Sequence, residues 1–450
     1  MSVSPRTEPA PAVGVQGRER WVAAAACLVL AGLHLAIAAR FGALGVSRND
    51  DWTYYRVALA TYADGGFSPD PFTSTMLVGL IALAQPVMAV FGASIAALQV
   101  MVALLGAVGL WAAWLLVRRF LDPGAAAVAV LTLALGPLWG TMSATFMSDV
   151  PAFAFQALAL AAAGAALRTP DIRWGWFAAS LVLCFAALTI REYAVAATVA
   201  VIAVGMLRAR GRQERLAVLL AGLAWVALAV ALLAWRAGLV TGAPSRSVLV
   251  PGPEEAKTLV RTVYTTGLLL SPAVVVHLVR SRGVLVRRHW RCALITLAVL
   301  VAGIVVTERT VLLGNYVTLY GSYPETVSGP LPVVVIAPIW ALIVGVAVLG
   351  STILVTMLWA ALRDVSRHRR RSPELLTRLR GADPALLLSL TFATALIVTV
   401  LVIGVVVHNR IFDRYLLPMT PYAAAVVLWP VRRPSSPEAV ERPAPRWSVS

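Results

Sequence analysis

The chain has 450 residues, of which 60% are hydrophobic and only 13% are charged, and its mean hydropathy is +0.82. Soluble proteins carry roughly 25% charged residues, so this composition excludes an ordinary soluble enzyme and indicates a polytopic membrane protein. The formal charge of +17 does not indicate nucleic-acid binding, because most basic residues lie in short loops between alternate apolar runs. That distribution is the positive-inside pattern.

Residues 1–20 are polar and are predicted to be a disordered cytoplasmic N-terminus, followed by a first span at 21–39. A cleaved signal peptide is the alternative, since Ala36, Ile37 and Ala38 fit a small-x-small cleavage site, but the apolar run is long for a signal core. With Arg18 and Arg20 in the cytoplasm, residues 45–94 form the first external loop.

The apolar run at 72–91 lies inside this loop. If it crossed the membrane, the next run would deliver Arg118 and Arg119 to the outside, against the positive-inside pattern. We therefore predict that this segment is an interfacial or re-entrant helix on the outer leaflet.

Further runs then alternate regularly between the two sides. Together with 21–39, the predicted spans are 95–117, 124–143, 146–167, 175–190, 193–207, 216–239, 263–279, 292–311, 333–362, 385–407 and 415–431. The prediction is an all-α polytopic membrane protein with about twelve transmembrane helices. Residues 21–431 form one transmembrane domain, both termini are cytoplasmic, and residues 432–450 are a disordered tail.

The candidate catalytic and binding residues lie at the predicted outer ends of the spans. Burying an ionisable side chain in a membrane costs free energy, so such residues indicate a functional site. Asp50 and Asp51 are adjacent carboxylates in the first external loop, an arrangement that suits a general base with an orienting partner. The alternative is structural: Asn49 or Asp50 caps the helix that follows.

Other ionisable groups fall on the same predicted side. Asp149 precedes an inward span and could be an ordinary helix start. Arg191 ends an apolar run without a loop, where it could hold a lipid phosphate or simply pair with Glu192. Near the last predicted span stand Arg410, Asp413, Arg414 and Tyr415. Arginines outside the membrane favour an anionic ligand.

Four stretches resemble the GT-C superfamily of integral-membrane glycosyltransferases, in particular the family of protein O-mannosyltransferases and the lipid A aminoarabinose transferase. They are Asn-Asp-Asp-Trp-x-Tyr at 49–54, Phe-Met-Ser-Asp-Val-Pro at 146–151, Leu-Thr-Ile-Arg-Glu at 188–192 and Asp-Arg-Tyr-Leu-Leu-Pro-Met-Thr-Pro at 413–421. The family often has Asp-Glu where this chain has Asp50 and Asp51, and threonine where serine precedes Asp149. Residues 240–400 show no motif of the family.

The resemblance implies the GT-C fold, a polyprenyl-phosphate-linked sugar as donor, and inverting transfer to a protein, lipid or polysaccharide acceptor. The active site would face the outside of the cell membrane. The resemblance does not imply a required cofactor. Binding of a divalent metal by Asp50, Asp51 and Asp149 is left as an open alternative.

Roles can be assigned to individual residues on this basis. Asp50 is the predicted base and Asp51 its partner, while Arg191 and Arg414 are the predicted ligands of the donor phosphate. The predicted substrate-binding residues are Tyr54, Tyr55, Asp149, Glu192, Arg410 and Tyr415.

Two alternatives remain. A secondary transporter or lipid flippase also fits twelve spans with cytoplasmic ends, although the ionisable residues gather at one face instead of the bilayer midplane. A glycan polymerase or ligase would share the external site but would depend on a large external loop.

Overall fold

The computed structural model describes residues 13–48, 50–70, 76–136, 138–239, 253–308, 310–314, 333–368, 380–403 and 411–429. Within these ranges the protein is helical and contains no strand. The helices are α1 Val13–Arg40, α2 Asp51–Asp64, α3 Val78–Phe91, α4 Ile95–Val117, α5 Pro123–Ala134, α6 Trp139–Met142, α7 Asp149–Ala166, α8 Trp174–Ile190, α9 Val195–Arg208, α10 Arg212–Leu239, α11 Pro253–Ser281, α12 Val284–Arg288, α13 Trp290–Val306, α14 Val333–His368, α15 Pro384–Ile403 and α16 Thr420–Leu428. Two 3₁₀ segments, Glu192–Ala194 and Asp413–Met419, complete the set.

Seven of the described helices are long and apolar enough to cross a bilayer: α1, α4, α7, α10, α11, α14 and α15. Four shorter apolar helices, α3, α5, α8 and α13, accompany them. The predicted class, an all-α multi-pass membrane protein, is therefore confirmed. The count of twelve spans stays a prediction.

The span predicted at 124–143 is not one continuous helix, and its crossing of the membrane stays a prediction. Helix α5 ends at Ala134, and the four-residue helix α6 follows after a turn at Leu135 and Gly136. The sequence continues with Pro137, which has no N–H to donate and disfavours helical geometry in the residue before it. Hydropathy alone does not report this interruption.

The apolar run at 72–91 contributes the 14-residue helix α3, Val78–Phe91. At 1.5 Å per residue this helix is about 21 Å long, shorter than the ~30 Å hydrocarbon core. It packs against α2, α4 and α8, and Leu80, Ile81, Ala84 and Met88 on it are buried. Its depth in a bilayer stays a prediction.

Close helix contacts depend on small residues. A Cβ on Gly109 of α4 would lie 2.9 Å from the Cα of Ala154 on α7, and one on Gly79 of α3 would lie 2.3 Å from Thr189 Oγ1 on α8. Small side chains allow backbones in a membrane to approach, because packing and not the hydrophobic effect holds helices together there. Helices α3, α4, α7 and α8 therefore form one tight group, and this group fixes the positions of the polar residues at its ends.

Candidate functional site

An ion pair joins the start of α2 to the segment before α16. Asp50 occupies the N-cap position of α2, but its side chain makes no capping hydrogen bond. Instead, Nη2 of Arg414 donates to Oδ2 of Asp50 over 2.9 Å. The Asp50 side chain is 47% exposed, whereas that of Arg414 is 4% exposed. The carboxylate is thus the accessible part of this pair, and a capping role does not account for Asp50.

Asp51 is buried directly behind Asp50. The backbone N–H of Arg48 donates to its Oδ1, while Oδ2 makes no hydrogen bond to the described residues. Burial raises the pKa of Asp51 from its ordinary value of 3.8 to about 7, although backbone N–H groups of Arg48 and Phe146 oppose the rise. The two adjacent carboxyls therefore occupy different environments, one half-exposed and one enclosed.

A second ion pair lies between α7 and the end of α8. Nη2 of Arg191 donates to Oδ2 of Asp149 over 2.9 Å, and Oη of Tyr193 donates to Oδ1 of Asp149 over 3.1 Å. The side chains of Arg191 and Asp149 are 1% and 0% exposed. Neither the expected pairing of Arg191 with Glu192 nor an open phosphate site describes this geometry: the guanidinium is enclosed against Asp149.

Tyr415 lies between the two ion pairs. The Cζ atoms of Arg191 and Arg414 lie 5.7 and 5.6 Å from the centre of its ring, distances at which a guanidinium is attracted by an aromatic face. The ring of Tyr193 lies 5.6 Å away, centroid to centroid. Four charged side chains and two tyrosines therefore form one cluster, which we call the acidic–basic cluster: Asp50, Asp149, Arg191, Tyr193, Arg414 and Tyr415.

Breaks between helices place the two arginines. Arg191 follows the last residue of α8 in extended conformation, with φ −149° and ψ 134°, before the 3₁₀ turn Glu192–Ala194. Arg414 is the second residue of the 3₁₀ segment Asp413–Met419. Its backbone N–H donates to Oδ1 of Asp413 over 2.8 Å.

Other predicted site residues are distributed around the cluster. Tyr54 is buried close enough to interact with the charge of Arg191, and Glu192 is half-buried beside it. Tyr55 faces elsewhere, since its hydroxyl donates to the carbonyl of Ala93 over 2.7 Å. Arg410 lies outside the described residues.

Sequence reasoning missed three members of this region. Arg48 holds Asp51 through its backbone, Tyr193 holds Asp149, and the ring of Phe412 lies 5.2 Å from Cζ of Arg414. Tyr193 directly follows a stretch that resembles the family, so its position was the one available signal. A backbone donor such as that of Arg48 leaves no trace in the choice of side chain.

Within the described ranges no group of three or more histidine, cysteine, aspartate or glutamate side chains is arranged to hold a metal ion. Asp50 and Asp149 each direct one oxygen at an arginine. The divalent metal site that the sequence left open at Asp50, Asp51 and Asp149 stays a prediction.

Residues 78–235 match the sequence model of the dolichyl-phosphate-mannose-protein mannosyltransferase family. The matched region contains Asp149, Arg191 and Tyr193, whereas Asp50 and Arg414 lie outside it. This match supports a GT-C superfamily glycosyltransferase and confirms the resemblance on which the expectations rest.

Two solved structures of ArnT from Cupriavidus metallidurans, one bound to undecaprenyl phosphate and one in the apo state, are similar to this chain at 14% and 13% sequence identity. Each comparison covers 91% of this chain and 76% of the other, with TM-scores of 0.38 and 0.39 respectively. No curated protein gives a match.

Proposed function

We propose that this protein transfers a sugar from a polyprenyl-phosphate donor to an acceptor hydroxyl at the outer face of the membrane, with inversion at the anomeric carbon. The observation that carries the proposal is the half-exposed carboxylate of Asp50 held against the guanidinium of Arg414 over 2.9 Å. Transfer from a lipid phosphate needs a base for the acceptor and a cation for the leaving group, and these two groups stand side by side.

Asp50 is the proposed base because it is the accessible member of the carboxyl pair. Its side chain is 47% exposed, while Asp51 is enclosed and cannot meet an acceptor without rearrangement. Asp51 is proposed to position the loop, through the hydrogen bond that it accepts from the N–H of Arg48. These roles agree with the expectation from the sequence.

Arg414 is the proposed ligand of the donor phosphate. Its side chain is 4% exposed, but its aspartate partner, Asp50, is half-exposed, whereas the partner of Arg191 is fully buried. A phosphate that enters beside the carboxylate of Asp50 is therefore close to the guanidinium of Arg414. Negative charge gathers on the phosphate oxygens as the sugar leaves, and a fixed guanidinium there stabilises that charge more in the transition state than in the ground state.

For Arg191 the proposal differs from the expectation. Its side chain is 1% exposed and bonded to Asp149, and its guanidinium lies over the ring of Tyr415. We therefore assign it a positioning role: it holds Asp149 and one face of Tyr415, whose ring also contacts Arg414. Contact with the donor phosphate would require the cluster to open.

The proposed step balances without a further reactant. Asp50 takes the proton of the acceptor hydroxyl as the acceptor oxygen bonds to the anomeric carbon. The bond from that carbon to the phosphate oxygen breaks on the opposite face, which inverts the configuration. Polyprenyl phosphate leaves with the bonding electron pair, next to Arg414.

A deletion strain tests the function. We expect loss of one envelope sugar and accumulation of its polyprenyl-phosphate donor, both restored by the wild-type gene and not by Asp50→Asn at equal membrane abundance. In proteoliposomes, the purified protein with labelled donor and a membrane extract as acceptor source should release polyprenyl phosphate. Movement of intact donor between leaflets without cleavage would instead identify a flippase, and unchanged envelope glycans in the deletion strain would contradict the transferase.

A further inference from the structure

A large cavity lies at the end of the helix bundle opposite to the acidic–basic cluster. Its volume is about 730 Å³. Helix α7 begins at Asp149 in the cluster and α8 ends beside Arg191, whereas the other ends of both helices line the cavity. The 18 residues of α7 rise about 27 Å at 1.5 Å per residue, close to the ~30 Å thickness of a hydrocarbon core. The cavity and the cluster therefore lie near opposite ends of these helices, about as far apart as the two faces of a bilayer.

The cavity carries an excess of positive charge. Four arginines and two acidic residues line it: Arg20, Arg118, Arg119, Arg168, Glu19 and Asp383. Both acidic groups have local partners, since Glu19 pairs with Arg118 over 3.1 Å and Oδ1 of Asp383 accepts from the N–H of Ala385 over 2.7 Å.

The guanidinium groups of the remaining three arginines make no ion pair with the described residues. They also act on one another: the pKa of Arg119 is lowered, first by desolvation and then by the charges of Arg168 and, more weakly, Arg20, while Asp383 opposes this effect. An unpaired cation cluster of this kind is stabilised by an anion.

Helix packing holds one of these cations in place. The Nη1 atom of Arg119 lies 3.2 Å from the point where a Cβ on Gly164 would stand. The guanidinium thus rests over the last turn of α7, where a Cβ at position 164 would meet Cδ1 of Leu116 at 2.6 Å and then Nη1 of Arg119. Arg119 is held at the cavity wall although it lies beyond the end of α4.

Below the arginines the cavity is aromatic and apolar. Trp111, Trp114 and Trp176 line it together with Leu115, Leu158 and Leu183. The indole Nε1 of Trp111 on α4 donates to the carbonyl of Arg20 on α1 over 3.2 Å, which holds its ring against α1. Tryptophan is enriched where a membrane meets water. The cavity wall is cationic at one end and aromatic and aliphatic at the other. A phospholipid has the same order of properties, with a charged headgroup followed by apolar acyl chains.

We propose that this cavity binds an anionic phospholipid of the leaflet opposite to the transfer site. Arg119, Arg168 and Arg20 bind the phosphate and its anionic headgroup, and the tryptophans and leucines hold the upper part of the acyl chains. Basic pockets between transmembrane helices recognise anionic headgroups in this way. The lipid is bound and not consumed, because the proposed base Asp50 lies in the other leaflet.

Native mass spectrometry of the full-length protein in detergent tests the proposal, with phosphatidylglycerol as the anionic probe. Phosphatidylcholine with identical acyl chains and glycerol phosphate without chains are the comparisons. We expect one equivalent of phosphatidylglycerol to bind at least ~10-fold more tightly than either comparison, since a charged headgroup and chains both contribute.

Arg119→Gln/Arg168→Gln removes two cavity charges and is expected to weaken phosphatidylglycerol binding by ~10-fold or more. The matched variant Arg18→Gln/Arg212→Gln removes two charges from exposed positions outside the cavity lining and should bind as the wild type does. Melting curves confirm that both variants are folded.

Three outcomes would overturn the proposal. Equal binding of phosphatidylcholine would show that the headgroup charge is not recognised. Equal binding of glycerol phosphate would make this a site for a soluble phosphate compound. An unchanged affinity in Arg119→Gln/Arg168→Gln, with the variant folded, would place the lipid elsewhere. None of these measurements depends on transferase activity, so they stand or fall separately from the proposed function.

Discussion

Asp50 and Arg414 are 364 positions apart in the chain, yet their side chains share a hydrogen bond of 2.9 Å. The carboxylate faces the solvent side and the guanidinium faces the protein. One prediction therefore concerns the carboxylate alone. Asp50→Asn keeps the size of the side chain but removes its charge, and turnover should fall by roughly 10² to 10⁴-fold, measured as release of polyprenyl phosphate at saturating donor.

The control for this prediction is Asp64→Asn, which removes a carboxylate at the exposed end of the same helix and should leave turnover within about twofold of wild type. Asp51→Asn separates the members of the pair. If Asp51→Asn abolishes turnover while Asp50→Asn retains it, with both proteins folded, their roles are to be exchanged.

Arg414 should act on donor use more than on folding. Arg414→Ala leaves behind a carboxylate that is half-exposed and solvated, so the melting temperature should fall less than in Arg191→Ala, which leaves a buried carboxylate. The donor phosphate loses its cation, and kcat/KM for the donor should fall by roughly 10²-fold or more. Arg414→Lys keeps the charge without the two-point geometry and should recover part of the loss.

A matched control is Arg56→Ala on α2, which removes an exposed arginine from its ion pair with the buried Asp70, 3.3 Å in this structure. It should leave donor use unchanged. Wild-type donor kinetics in Arg414→Ala would refute the phosphate role.

The buried pair Asp149–Arg191 should respond in the opposite way. Arg191→Ala leaves a fully enclosed carboxylate without its cation, and such a change costs about 3 to 5 kcal/mol of stability. Replacing both residues by apolar side chains, Asp149→Leu/Arg191→Met, should recover much of the lost stability. If Arg191 also positions Tyr415, this stable double variant will show a reduced kcat with a donor KM near that of the wild type.

Arg191→Lys keeps the positive charge beside Asp149 and Tyr415. If Arg191 has this positioning role, Arg191→Lys should have a higher kcat than the double variant Asp149→Leu/Arg191→Met. A double variant as active as the wild type would confine Arg191 to folding. A large rise of the donor KM at unchanged kcat would return it to the phosphate site that the sequence predicted.

Asp51 predicts a pH dependence of stability. Its pKa is raised by burial from 3.8 to about 7, so the folded protein binds more protons than the unfolded chain between these values. Stability therefore falls as pH rises from about 4 to about 7. Asp51→Asn lacks this group and should lose that part of the slope, with a melting temperature higher by a few °C at pH 8. Melting curves at pH 5 and pH 8 check this, and parallel slopes would contradict it.

The orientation in the membrane stays a prediction that cysteine labelling can check. Cys27, Cys184 and Cys292 are first replaced, and single cysteines are then placed at Asp64, Asn315, Arg212 and Arg371. An impermeant reagent should label the first two positions in intact cells and the last two only after lysis. Labelling of residue 212 from outside would invert the topology and, with it, the proposed side of the reaction.

Helical class and individual site residues could be predicted from the sequence because hydropathy and retained charges are local properties. Pairing could not. Asp149 and Arg191 were both singled out, but their contact depends on how far α7 and α8 are rotated and displaced along one another. Asp50 with Arg414 is the same case over a longer separation. The sequence therefore predicted a phosphate as the partner of Arg191 and of Arg414. In the structure, each of these arginines is paired with an aspartate.

The interruption after α5 shows a different limit. An average over 124–143 is apolar, but a helix is broken by single residues, and the turn at Gly136 is followed by Pro137. The arginines at the other end of the bundle were used only to orient the spans. These arginines come together around one cavity because α1, α4, α7, α8 and α15 pack against one another. These helices are far apart in the sequence, so no short stretch of sequence predicts the cavity.

The long sequence separation between Asp50 and Arg414 has a consequence for biosynthesis. A membrane protein emerges from its N-terminus, and early segments settle before later ones are made. Asp50 is therefore synthesised early. Its ion pair with Arg414 forms only after the 3₁₀ segment Asp413–Met419 has been translated and has packed against the start of α2. A chain arrested before that segment holds the proposed base without the group beside which the phosphate would leave. On the proposed mechanism, we expect such an incomplete translation product to be inactive.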